Sequence, residues 1–411
     1  MTTETTQTRV RRPGVLLVLL GTVTGIGPFS MDMYLPALPH IGDEFHAGPS
    51  GVQLTLTACL VGLAVGQLLI GPLSDRWGRR RPVLAGLGLY AVTSLLCAVA
   101  PSVGALTAAR LGQGVAGGAA LVIVRAVVRD LYSGAAAAAY FSRLMLIFGV
   151  APVVAPSLGG LALRVTGWRG IFVILAAIGA LVLAAAVVGL PETLPPERRY
   201  AGGLAQTLRG MRALLRDRGY VGYVLALGLG GAGLFAYIAG SSYALQRVYG
   251  ASPQLYGLLF GLNALGFVFV GQLNGRLVRR VPPRRLLAIG LAVLVGAAVA
   301  FLLVTRWHQL AAAAVPLFVF MSVFGLVFPN TTALALDLHP ERAGAASALL
   351  GAGQSLCGAI IAPLVGLAGA GSATPMALAM TVSAVGGGLA FLTVAGRAYR
   401  DPARRETVAP K

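Results

Sequence analysis

The stretch GPLSDRWGRR, Gly71 to Arg80, returns two hundred residues later as GQLNGRLVRR, Gly271 to Arg280. Glycine, leucine and three arginines coincide in register. Each copy follows one long apolar run and precedes another. A second echo pairs APVVAPSLGG, from Ala151, with GAIIAPLVG, from Gly358. The chain therefore reads as a duplication. Two repeats related about the membrane normal, with a site between them near the midplane, are a known design of transporters.

The runs between the echoes say what kind of repeat this is. The 411 residues are 57% hydrophobic and only 11% charged, with mean hydropathy +0.81. A soluble chain carries about 25% charged residues. Runs such as GIFVILAAIGALVLAAAVVGL exceed the roughly 18 apolar residues that mark a membrane helix. Unpaired backbone groups are costly in lipid, so these runs are helices. Short alternating segments would mark a β-barrel instead. Twelve spans are predicted, at 14–34, 50–73, 82–100, 103–128, 137–165, 168–190, 220–244, 253–277, 284–305, 309–338, 343–367 and 374–395. The expected fold is an all-α polytopic membrane protein, with twelve transmembrane helices in two six-helix repeats. Its parts are a tail (1–13), an N-terminal half (14–190), a linker (191–219), a C-terminal half (220–396) and a second tail (397–411).

Charge sets the orientation. The net +19 could suggest nucleic acid, but its distribution follows the positive-inside rule. With the N-terminus in the cytoplasm, Arg164, Arg169, Arg247 and Arg306 fall outside and Arg110 within a span. Every other basic residue falls on the cytoplasmic side. Trp77, Trp168 and Trp307 lie at span ends, at headgroup level. Arg9, Arg11 and Arg12 before the first run resemble a signal peptide, yet no A-x-A site follows, so that run is read as an anchor. Cys59, Cys97 and Cys357 sit in apolar runs as packing residues, and the four histidines make no metal pair. No metal, cofactor or nucleic acid is expected, and the working form is expected to be a monomer.

Here the residues reach a family. GPLSDRWGRRRPVL resembles the G-x-x-x-D-R-x-G-R-R signature of the major facilitator superfamily, matched by Gly71, Asp75, Arg76, Gly78, Arg79 and Arg80. The resemblance implies that Asp75 caps a helix of the opposite half, where a carboxylate gains about 0.3–1 kcal/mol. Arg79 or Arg80 would reach Asp130 at the end of the fourth span. Such a cluster would latch the cytoplasmic side while the transporter faces outward. The second copy has Gly275 in place of Asp75, so the latch should be one-sided. In the fifth span, Ala155-Pro156-x-x-Gly159-Gly160 is similar to the antiporter G-P-x-x-G-G motif. Pro152 and Pro156 kink that helix, and its glycines admit a close neighbour. In the fourth span, Arg110, Gln113 and Gly114 match R-x-x-Q-G. Arg110 lies roughly 10 Å inside the outer end, where it either snorkels outward or faces the central cavity and tunes a carboxylate.

One carboxylate fits that role. Among the thirteen acids, Asp337 closes the tenth span on the cytoplasmic side and Asp32 alone lies inside a span. Placing a charge at that depth costs roughly 2.5–3.5 kcal/mol or more. Its surroundings, DMYLPALP, resemble the D-x-Y-L-P-x-x-P element of the bicyclomycin/chloramphenicol-resistance (Bcr/CflA) branch of drug:proton antiporters. Burial disfavours the charged form of any carboxyl, which is what a proton site needs. The resemblance implies that Asp32, aided by Arg110, exchanges a proton for a drug as the two halves rock. Tyr34, Gln113, Tyr237, Asn263 and Gln354 are candidate drug contacts. Ordinary helix packing explains those five equally well. Thr24 stands where some relatives carry a second acid, and a single acid suits a neutral substrate. An enzyme such as a prenyl transferase would need paired acids for Mg²⁺-diphosphate, so no enzyme is expected. The reading is drug efflux at the bacterial inner membrane, both termini cytoplasmic. The alternative is a proton-coupled uptake symporter of a small metabolite.

Overall fold

A computed structural model describes residues 13–132, 134–199, 212–339, 343–367, 369 and 371–395. Both tails and much of the linker, with Arg209, Glu341 and Arg342, lie outside the described residues. No strand occurs among those described. The first helix, α1, is Pro13–Asp32. A 3-10 turn, Leu35–Ala37, joins it to a short helix, α2, Leu38–Glu44. Then come α3 (Pro49–Trp77), α4 (Arg80–Ala98) and α5 (Val103–Leu131). The helical stretch Gly134–Gly189 is broken at Gly167, where φ is 65°. Glycine adopts that backbone freely and other residues do not. The stretch is therefore two spans, α6 (134–166) and α7 (168–189). The second half holds α8 (Arg218–Tyr243), α9 (Pro253–Leu277), α10 (Pro283–Val304), α11 (Leu310–Asp337), α12 (Ala343–Gly366) and α13 (Thr374–Ala390). With α2 set aside these are twelve spanning helices, as the sequence predicts.

Local chemistry fixes the boundaries. Ser102, Asp217 and Ser252 cap α5, α8 and α9 by accepting N–H bonds from Ala105, Gly219 and Leu255, which satisfies donors a helix start leaves free. Proline opens α1, α3, α9 and α10, where its missing N–H costs nothing. The first span departs from expectation. Its α-helix ends at Asp32, not Tyr34, because Pro36 has no N–H for the carbonyl of residue 32. The chain then turns back into helix, and α2 carries Asp43 and Glu44. The seventh helix starts two residues earlier than expected, at Arg218, where Asp217 caps it.

Helices α1–α7 form one half and α8–α13 the other. They meet along two seams, α3 against α12 and α6 against α9. Large apolar side chains stand exposed on the outer faces, among them Val165, Val188, Val382 and Leu392, as lipid contact requires. Inside the first half α3 and α5 pack backbone to backbone. A Cβ added at Gly114 would lie 2.1 Å from the Cys59 carbonyl oxygen, so the glycine of R-x-x-Q-G serves close packing.

The candidate site at the junction of the two halves

Asp32 closes α1 and is 6% exposed. Its electrostatic neighbours come from both halves: Arg110 of α5 on one side, Tyr237 of α8 and Tyr256 of α9 on the other. Among the described residues no side chain hydrogen-bonds its carboxyl. The acid thus sits where the halves meet, held by no fixed donor.

Arg110 is fully buried and does not snorkel. Its Nη1 donates to the Ser30 carbonyl at 2.9 Å and to Gln113 Oε1. The guanidinium lies over the Tyr34 ring at 4.2 Å, a cation–π contact that offsets part of its desolvation. Tyr34 in turn shares a hydrogen bond of 3.1 Å with Thr55. Gln113 spends its amide on Arg110 and, at 2.8 Å, on Ser94 Oγ. It braces the arginine. Among the described residues Arg110 Nε and Nη2 have no hydrogen-bond partner. A buried donor left unpaired costs about 1–3 kcal/mol, so this cation keeps unused capacity close to Asp32.

The other candidates divide. Asn263 donates to the Tyr237 hydroxyl at 2.7 Å, and Phe260 stacks on Tyr237 with centroids 5.4 Å apart. This buried pair faces Asp32 from the second half. Gln354 stands apart, half-buried on α12 against Gly231 of α8.

The proline-glycine stretch of α6 touches two partners. A Cβ on Gly159 would come 1.8 Å from the carbonyl oxygen of Met33, the residue after Asp32. One on Gly160 would come 2.8 Å from the carbonyl oxygen of Pro253, in the opposite half. In return, Gly257 and Gly261 of α9 admit the carbonyls of Pro156 and Val153, with built Cβ distances of 2.8 and 2.7 Å. Gly257 and Gly261 escaped the sequence reading, although their G-x-x-x-G spacing marks close helix contact.

At the basic end, Arg79 gathers the acids. Its guanidinium bonds Asp75 at 2.5 Å, Asp130 at 2.8 Å and Ser74 Oγ at 2.8 Å. Glu192 accepts the N–H groups of Arg79 and Arg80 at 2.8 and 3.3 Å, and Thr193 donates to Asp130 at 3.2 Å. Gly78, at φ 89°, leaves room for Glu192. Arg80 donates to the Val187 carbonyl and Arg76 is exposed. The described ties stay within the first half and the start of the linker. Asp75, its side chain 48% exposed, pairs with Arg79; the residues just before α12 lie outside those described. Glu192 and Thr193 were missed because their partners lie far back in the chain. In the second copy Asn330 donates to Asn274 at 2.6 Å, a neutral tie where the first copy has charges. Arg79→Ala should lower stability by about 2–3 kcal/mol, since removing one partner strands the other charge. Arg79→Lys should recover only part, lacking the planar fork. Thermal unfolding in detergent measures both.

The described hydrogen bonds between halves gather toward the opposite end. Gln53 donates to the Ala239 carbonyl at 3.0 Å, Ser50 to Pro363 at 3.1 Å, Thr57 to Ala359 at 3.0 Å and Gln254 to Gly160 at 2.9 Å. Ser242, Tyr243 and Gln246 bond the carbonyls of Leu35, Leu38 and Pro36, and Arg247 pairs with Asp43. The molecule is shut at that end.

Two six-helix halves meeting at a buried acid are the architecture of an alternating-access transporter. The model of the Major Facilitator Superfamily matches residues 20–363 and 238–410. The chain is 42% identical over 379 residues to the uncharacterized MFS-type transporter YdgK of Bacillus subtilis, covering 92% of this chain and 94% of that one. It is 32% identical over 385 residues to a bicyclomycin resistance protein homolog of Haemophilus influenzae, covering 93% and 96%. A bacterial homolog of the lysosomal transporter Spinster, solved inward-facing and occupied, superposes with TM-score 0.71 at 15% identity, covering 93% and 95%. The xylose transporter XylE of Escherichia coli gives 0.70 at 15%, covering 92% and 97%. The chain belongs to the major facilitator superfamily, within its bicyclomycin/chloramphenicol-resistance branch.

Proposed function

We propose that the chain expels small amphipathic drugs, of the chloramphenicol, florfenicol or bicyclomycin kind, across the bacterial inner membrane in exchange for protons. The observation that carries this is Asp32: an acid buried where the halves meet, with Arg110 of its own half and Tyr237 of the other as neighbours. The relatives support the drug class. Besides the Haemophilus protein, a chain from Pseudomonas aeruginosa, 34% identical over 299 residues, is named chloramphenicol resistance protein.

The arginine-rich end faces the cytoplasm by the positive-inside rule. The shut end is then the outer one. Charged Asp32 is drawn to the unpaired nitrogens of Arg110; protonated Asp32 is released from them. A drug entering the junction competes with the proton for that setting. The halves rock because each occupant favours a different arrangement. The Asp75–Arg79–Asp130 cluster lies at the inner end, where it would engage α12 when the inner side closes.

Accumulation of a labelled phenicol in expressing cells tests the reading. Less drug inside than in control cells, restored by a protonophore, is expected. More drug inside, lost on adding the protonophore, would mean uptake and overturn it.

A further inference from the structure

The stretch after Asp32 has a second use. Helical bonding runs from N–H to the carbonyl four residues back. Pro36 and Pro39 have no N–H, so they deny that donor to the carbonyls of residues 32 and 35. The Leu35 carbonyl accepts the Leu38 N–H in the 3-10 turn and, from across the junction, Ser242 Oγ of α8 at 2.6 Å. Gln246 Nε2 donates to the Pro36 carbonyl at 3.2 Å and to Ser242 Oγ at 2.8 Å, and Tyr243 donates to the Leu38 carbonyl at 3.1 Å. Beyond Tyr243 the helix leaves α geometry for a π turn, Ala244–Val248, a distortion common at functional sites. Ser242, Leu35, Pro36, Ala37 and Leu38 are buried, which keeps water from the Ser242–Leu35 bond.

We propose that Ser242 and Gln246 are positioning residues: they grip the carbonyls of Leu35 and Pro36 just beyond Asp32 and hold the outer gate shut against the second half. The proposal rests on the sidedness given above and adds the residues that do the holding. Leu35 lies three residues past Asp32, at most about 11 Å of chain. Any shift of the helix end that carries the acid therefore strains the clasp. The clasp is uncharged. The neighbouring Arg247–Asp43 pair is exposed, with side chains 45% and 66% accessible, and such pairs contribute little. The seal is thus set by Ser242 and Gln246, not by the ion pair.

The test is the labelling rate of a cysteine at Ala37, which is fully buried. It is made in the full chain with Cys59, Cys97 and Cys357 changed to Ala. A membrane-impermeant maleimide is added to intact cells. Ser242→Ala and Gln246→Leu should each raise the rate about tenfold or more. Ser242→Thr, which keeps a hydroxyl, should return toward the parent, and Arg247→Ala should stay within about twofold of it. Rates within twofold of the parent in both Ser242→Ala and Gln246→Leu would overturn the proposal, as would an Arg247→Ala effect equal to theirs. Size-exclusion profiles in detergent identify any misfolded variant, and the other of the pair then decides. No drug or proton gradient enters the assay, so it fails separately from antiport. If the labelling pattern holds while efflux proves indifferent to protonophore, the clasp stands and the antiport reading falls. Labelling in inverted vesicles but not in cells would overturn the sidedness.

Discussion

Asp32→Asn is expected to abolish proton-driven efflux and reduce drug resistance to that of cells lacking the protein. Asparagine matches aspartate in size but cannot exchange a proton near neutral pH. Asp32 is the acid that closes the first span, buried between Arg110 of one half and two tyrosines of the other. No described side chain hydrogen-bonds it, so the change breaks no structural tie. Removing a charge from the membrane interior also removes its insertion cost. The variant should therefore accumulate in membranes at the wild-type level. Full resistance with Asp32→Asn would refute the assignment, whereas loss of the protein from the membrane would show a structural role instead.

The second large effect is expected at Gly159. A valine there would place Cβ 1.8 Å from the Met33 carbonyl oxygen, where real Cβ atoms keep at least 3.0 Å. That oxygen belongs to the backbone next to Asp32 and cannot turn aside as a side chain would. Either α6 retreats or the end of α1 moves, and both disturb the junction. Overpacking costs about 1–3 kcal/mol, sometimes more. Gly159→Val should cut efflux at least a hundredfold and lower the unfolding temperature. Gly160→Ala, with 2.8 Å to the Pro253 carbonyl oxygen, should do less. Wild-type efflux with Gly159→Val would show that α1 and α6 need not approach this closely.

The fold was legible because it is written in long apolar runs and in one repeated motif. Both are local patterns, and the membrane leaves helices as the solution. The turn at Gly167 was equally local: the fifth and sixth spans separate there in sequence and in structure. The site was legible residue by residue but not as an arrangement. R-x-x-Q-G marks Arg110, Gln113 and Gly114, yet nothing in the spacing says that Gln113 braces the arginine or that Gly114 meets the Cys59 carbonyl. Glu192 joins Arg79 across 113 residues, and Ser242 meets Leu35 across 207. Such pairings follow from how helices pack, which a single sequence does not display. Pro39 denies the Leu35 carbonyl its α-helical donor; it does not announce that Ser242 reaches that carbonyl.

Proton release from the purified protein tests the central claim most directly. Drug is added to detergent-solubilised protein in weak buffer, and the pH change is followed. The account predicts that the wild type releases protons, up to one per chain, as drug enters the junction, and that Asp32→Asn binds drug and releases none. Equal release from both proteins would place the exchanged proton elsewhere and contradict the account.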